Sequence, residues 1–172
     1  MSCSNLTGGI LDLCNDGFSG IEKIYIANGG DVSITASAGV ITAIAVAGTP
    51  LTPADWFAFE VPRQTSSFTE TVNVSQENGT LNFSQDVSMV FNHLSVDKRN
   101  QLLLIAQATS LVAVVKDNNG KFWSVGIEKG AYMSAGTATT GTAYSDRAGY
   151  EITVSGIEPN PTFEVTSSIV EA

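Results

Sequence analysis

The chain has 172 residues, 43% of them hydrophobic, with 17 acids against 8 bases and a formal net charge of −9. That is enough apolar chain for one domain with its own core, which excludes a disordered segment. The acid excess argues against gripping a nucleic-acid backbone, which needs Lys and Arg, although an acidic surface is also simply a soluble one. No run approaches the roughly 20 apolar residues that span a bilayer, so no membrane partner is expected. Cys3 and Cys14 are too few for a disulfide framework, and ordinary thiols are expected. The start MSCSNLTGG shows no basic segment followed by an apolar one, so synthesis and folding in a cytoplasm are expected.

Residues 1–20 carry Gly8, Gly9, Gly17 and Gly20 among Ser, Asn and Asp. They read as an extended arm with Ile10, Leu11 and Leu13 as anchors, ahead of a single domain over 21–172. A first strand is predicted over Ile21 to Ala27, with Ile24 and Ile26 on one face. Asn28-Gly29-Gly30-Asp31 is a turn, and Val32 to Thr35 follows it. Gly39 to Val46 is a third run, with Val40, Ile44 and Val46 sharing a face. Pro50 and Pro53 mark a loop. Trp56 to Val61 reads as a strand with Phe57, Phe59 and Val61 inward.

Phe68 to Gln76 and Thr80 to Phe91 flank Asn78-Gly79, the favoured pair for a two-residue type I′ turn. With those residues at the tip, Val74 faces Phe83, Val72 faces Gln85, Glu70 faces Val87 and Phe68 faces Met89. On the other side Asn73 faces Ser84, Thr71 faces Asp86 and Thr69 faces Ser88. One face is mostly apolar and the other wholly polar, and a one-residue slip would mix them. At roughly 3.3 Å per residue the hairpin is near 30 Å long, more than a lone ribbon sustains in water. A larger sheet or another subunit is expected to support it.

Leu94 to Ser110 is the one convincing helix, about 95–109. Ser95 is placed to cap it and Asp97 to meet the positive end of its dipole. Leu102, Ile105, Ala106 and Thr109 form an apolar stripe, and Leu103 and Leu104 are expected to widen it. Leu111 to Lys116 and Lys121 to Ile127 make a second hairpin around Asp117-Asn118-Asn119-Gly120. With Asn119-Gly120 at its tip, Val114 faces Val125 and Val112 faces Ile127. Ala113, Val115 and Phe122 fall on the other face, so this pair is expected to be central and covered on both sides. Ser134 to Ala148, rich in small residues, reads as an exposed and functional loop. Gly149 to Ser155 is a strand with Tyr150, Ile152 and Val154 opposite Glu151, Thr153 and Ser155. Pro159 and Pro161 end it, and Phe163, Val165 and Val170 suggest a last strand. The fold class is mainly β: an antiparallel sandwich or barrel with one flanking helix.

Chemistry is sparse. His93 is the only histidine and lies far from both cysteines, so no metal cluster is expected, and a turn-capping role suits it better than catalysis. Gly136 and Gly141 lack the Lys of a phosphate loop, and no G-x-S-x-G elbow exists. Asp146 and Arg147 invite attention as a loop pair, though a surface ion pair or no contact at all is the plainer reading. Trp56 and Trp123 suit a sugar platform or, more simply, inward packing. Neither a cofactor nor an enzymatic activity is expected.

The order of parts resembles the tail tube proteins of long-tailed bacteriophages: a Gly-rich arm, an antiparallel sheet with one long hairpin, a lone helix, a tight hairpin and a closing strand. Gly149-Tyr150-Glu151-Ile152-Thr153-Val154-Ser155-Gly156-Ile157-Glu158-Pro159 and Gly126-Ile127-Glu128-Lys129-Gly130 are similar to segments of such virion proteins. The resemblance spans roughly residues 20 to 160. It implies a virion tail subunit that forms stacked homo-hexameric rings, joins other tail proteins and lets DNA pass its lumen without specific binding. On that view Thr69, Thr71, Asn73, Ser84, Asp86 and Ser88 face the lumen. Ile10, Leu11, Leu13, Glu77, Asn78, Gly79, Asp146 and Arg147 then make contacts between subunits and rings. Two alternatives stay open: a surface-exposed recognition sandwich, such as an adhesin or carbohydrate-binding module, and a head decoration or tail-completion protein. A polar sheet face is also what any antiparallel sheet shows to water.

Overall fold

The computed structural model describes residues 8–10 and 17–171. Among these, twelve strands and one α-helix follow in order: β1 (Ile21–Asn28), β2 (Val32–Ser37), β3 (Val40–Val46), β4 (Thr49–Pro50), β5 (Phe57–Glu60), β6 (Ser67–Ser75), β7 (Thr80–Asn92), α1 (Val96–Gln107), β8 (Leu111–Asp117), β9 (Phe122–Val125), β10 (Ala131–Thr139), β11 (Gly149–Glu158) and β12 (Glu164–Val165). The protein is mainly β with one helix, as its hydrophobic periodicity predicts.

A hydrogen-bonded path runs β2-β3-β12-β9-β8-β10-β11-β7-β6, with β1 and β5 branching from β8. β8 and β10 share only the pair Leu111–Ala131, so the path turns there and divides into two layers. One layer is β10-β11-β7-β6 and the other is centred on β5-β1-β8-β9. Between them lies the first core. Ile24, Ile26, Ala113 and Val115 meet Val87, Met89, Ile152 and Val154, and Leu102 and Ile105 of α1 close the side. A second core lies on the back of β1 and β8, where Tyr25, Val112 and Val114 pack against Ile41, Ile44, Trp56 and Phe122. Burial on both faces is why β1 and β8 read as continuous apolar runs and not as alternating ones.

The ladders are antiparallel except for β3–β12, which corrects the all-antiparallel expectation to a mixed sheet. The chain leaves β11 through Pro159 and Pro161, which cannot continue a ladder, and returns beside β3 in the same direction. The expected last strand is only Glu164–Val165, followed by a 3-10 turn over Ser167–Ile169.

Several local expectations are overturned by tertiary context. Ile41 and Ile44 are the residues of β3 in the second core, not the set Val40, Ile44 and Val46. Thr42 is the extra residue of a bulge against β2, and a bulge shifts the alternation by one. Phe57 is exposed because β5 lies at the margin of its layer, while Phe59 and Val61 do pack on the first core. Ser134 does not begin a loop: Ala131–Thr139 is a nine-residue strand paired along its length with β11. Its small residues lie beside α1, and the loop proper is 140–148.

α1 starts as predicted. Ser95 is extended, at φ −145° and ψ 156°, and its hydroxyl accepts from the Lys98 N–H at 3.3 Å. Leu102 and Ile105 are buried, but Ala106 and Thr109 are exposed, as are Leu103 and Leu104 at 44% and 60%. The helix meets the core along one narrow stripe, and residues 103 and 104 point roughly 100° and 200° round from 102.

Both hairpins close differently from the two-residue tips expected. The first has a four-residue loop, 76–79, with pairs Ser75–Thr80, Val74–Leu81, Val72–Phe83, Glu70–Gln85 and Phe68–Val87. Gly79 has φ +62° while Asn78 is not left-handed, and a type I′ turn needs both. The shift is two residues, so every side chain keeps its expected face. The second hairpin has a three-residue loop, 118–120, closed by the Asp117 N–H donating to the Lys121 carbonyl at 2.9 Å. Gly120 has φ +80°, and Asp117 Oδ1 accepts from the N–H groups of Asn119 and Lys121. Here the shift is one residue. Ala113 faces Val125 and Val114 faces Ser124, which puts Val125 in the first core and Phe122 in the second.

Candidate functional site

The layer β10-β11-β7-β6 has an outward face of unusual composition. None of its four strands contains Lys, Arg or His. Thr69, Thr71 and Asn73 of β6 are exposed, and Ser84, Asp86 and Ser88 of β7 are half-buried beside them. The observed partners are Thr71–Ser84, Thr69–Asp86 and Asn73–Asn82. Asn73 Nδ2 donates to Asn82 Oδ1 at 3.1 Å. Thr153 and Ser155 of β11 extend the surface beside Ser88 and Asp86. The Ser155 hydroxyl donates to the Asp86 carboxylate, and Ser134 Oγ lies 2.7 Å from Ser155 Oγ. A band of hydroxyls around Asp86 thus crosses four strands, flanked by the exposed Tyr132 opposite Ser155 and the exposed Ile157 opposite Ser84. The six residues read from the sequence do share this face. The share of β10 was missed, because its Ser, Ala, Gly and Thr give no apolar alternation.

The inward face of the β6–β7 hairpin changes character along its length. Phe68 and Val87 belong to the first core. Glu70 and Gln85 come next and form a polar clamp. Gln85, 2% exposed, donates from Nε2 to Glu70 Oε2 at 3.1 Å and to Thr162 Oγ1 at 3.0 Å. Its Oε1 accepts from the Gly126 N–H at 3.1 Å, and Glu70 also accepts from the Thr162 N–H at 2.7 Å. Beyond the clamp Val72, Val74 and Leu81 are 54%, 65% and 41% exposed. Pairing with β11 stops at Phe83 opposite Glu158. The tip therefore carries an apolar face past the end of the subunit's own core.

Glu158 sits buried at the root of the hairpin and accepts from the N–H groups of Glu128 and Lys129. Burial pushes its carboxyl above the usual range, against the pull of those donors.

The remaining candidates are dispersed. Glu77, Asn78 and Gly79 are exposed at the tip. Asp146 and Arg147 do not pair. The N–H groups of Ala143 and Thr142 donate to Asp146 and hold its carboxyl below the usual range. Arg147 instead reaches Glu151 at 2.9 Å. Ile10 is fully exposed, while Leu11, Leu13, Cys3 and Cys14 lie outside the described residues. Phe18 exchanges two 2.8 Å hydrogen bonds with the Asn119 side chain. Trp56 is buried in the second core, and Lys121 covers the ring of Trp123. His93, at φ +63°, lies in the turn before α1 and its carbonyl accepts from Lys98.

Among the described residues no three His, Cys, Asp or Glu side chains gather as a metal site, and no helix is long and apolar enough to cross a membrane. No family model matches the chain, and no curated protein matches it.

Proposed function

We propose that this protein is a virion structural subunit. It polymerises as stacked hexameric rings into a bacteriophage tail tube, whose lumen carries DNA during ejection. The observation that carries the reading is the base-free layer β10-β11-β7-β6. Its short hydroxyl and acid side chains hydrate a wall yet offer phosphate no counterion, so DNA slides past without binding. The exposed apolar tip and the free edge of β6 suit a chain that completes its fold against neighbours.

Negative-stain microscopy and sedimentation of the purified chain test this directly. Six-fold rings or tubes are expected, and a protein monomeric at every concentration overturns it. The lumen assignment has its own test. Replacing the exposed Thr71 and Asn73 of β6 together by Lys leaves the subunit fold intact, since exposed strand positions each shift stability by only about 0.5 kcal/mol. The same change creates salt-sensitive DNA attraction that slows ejection. Normal ejection at low salt by such a virion removes this face from the channel.

A further inference from the structure

We propose that the groove between α1 and the β10–β11 pair seats the β6–β7 tip of a second copy, so that subunits join head to tail. This rests on the tail-tube reading and names its axial contact.

The groove encloses about 290 Å³ and is walled by Leu102, Leu103, Met133, Tyr150 and Ile152. Leu103 is exposed on its rim, with Met133 and Tyr150 half-buried. It is an apolar recess left open on the outside of the helix. The tip offers the complementary shape: Val74 and Leu81 face each other across two strands with no core beneath them.

The two surfaces cannot meet within one subunit. Tyr150 pairs with Phe91 at the far end of β7, and Leu81 is ten residues away along the same strand. At about 3.3 Å per residue that separates them by roughly 33 Å. A contact between opposite ends of one molecule is heterologous, so it repeats along an axis and does not close on itself.

Charge selects the same pairing. Glu77 is the only charged residue of the 71–82 tip, and Arg99 is the only one lining the groove. Among the described residues Arg63, Lys98, Arg99 and Lys129 hold no carboxylate, and of these only Arg99 lines the groove, where it reaches Asn100 Oδ1 at 3.0 Å. Arg99 also stands near the N-terminus of α1, where the helix dipole disfavours a cation. An incoming carboxylate relieves that misfit.

The test is a charge exchange read by sedimentation of the full chain. Arg99→Glu and Glu77→Arg are each expected to raise the concentration at which multimers form by about tenfold, as loss of an interfacial ion pair does. Combining them restores assembly. Both residues are exposed, so a thermal midpoint no lower than the parent's confirms that each variant is folded. As a second measure, copies carrying Val74→Cys are mixed with copies carrying Leu103→Cys, in a background with Cys3 and Cys14 replaced by Ser. A disulfide between copies is expected. Single variants that assemble like the parent, a double variant that is not rescued, or assemblies without that cross-link each overturn the groove contact. In those cases the tube reading still stands on the parent's own multimers. A parent that never multimerises overturns both.

Discussion

Two hairpins of this protein carry Asn-Gly at their turns, and they make opposite use of it. In β8–β9 the loop has three residues and the strands lie between two cores. In β6–β7 the loop has four residues and the tip extends past any core. The dipeptide marks where the chain reverses, and the glycine alone takes the left-handed conformation in both. Loop length is then chosen by what the strands must bury. At β8–β9, a two-residue loop would put Val125 opposite Val114. The observed loop instead gives Val125 to the first core and Phe122 to the second. At β6–β7, either register keeps the polar and apolar faces apart, so burial exerts less control.

The contrast breaks most visibly in the valines. Val115→Ala, at a fully buried site of β8, is expected to cost about 2 kcal/mol in denaturant unfolding, the value of a buried valine side chain with its cavity. Val74→Ala at the other hairpin is expected to shift the free subunit by less than about 0.5 kcal/mol while weakening its assembly. Equal costs in the free subunit would mean that the tip is covered by its own chain.

The turns give a smaller effect that should be equal. A Cβ added at Gly79 or Gly120 meets no atom within 4 Å, so only the backbone conformation resists it. Gly79→Ala and Gly120→Ala are each expected to cost about 1 kcal/mol, and unequal thermal shifts would reveal a coupling that the geometry lacks. Smaller still is a chemical difference. Deamidation requires the following backbone nitrogen to attack the Asn side-chain carbonyl carbon and expel ammonia. Both polar ends of the Asn119 side chain are engaged by Phe18, so Asn78 is expected to convert first when aged protein is followed by peptide mass spectrometry. The added charge should change free-subunit stability by less than about 0.5 kcal/mol.

The least effect lies at the root of the first hairpin. With its carboxyl raised by burial, folded Glu158 holds its proton at a pH where the unfolded chain has lost it. Stability therefore falls as pH rises from the ordinary glutamate value to the raised one, and is flat above. Glu158→Gln is expected to flatten that slope in a series of unfolding curves across acidic pH.

Alternation of period two made the faces of β6, β7 and β11 legible, and with them the six residues of the polar band. Ser95 and the run after it made α1 legible. The remaining features depend on contacts that a local pattern does not encode. One extra residue at Thr42 changes which isoleucines are buried. β10 looks like a loop because its residues from Ser134 to Thr139 are small and exposed, so no apolar alternation marks the strand. Leu103 and Leu104 look like core until α1 is known to touch the sheet along one stripe. The groove beside α1 needs a helix and a strand more than twenty residues apart to be brought together, and no spacing in the chain announces that.

The clamp of Glu70, Gln85 and Thr162 has a consequence for how the tip behaves in time. A two-stranded ribbon alone is marginal in water, so the order of this one is lent by its fixed root. Amide hydrogens from Thr80 to Asn82, which have no β11 partner, should exchange with solvent through local fraying. Those of Val87 and Met89, in the first core, should wait for global opening. A partner that captures the tip thus receives a segment whose register is already set, and little conformational entropy is left to lose on docking.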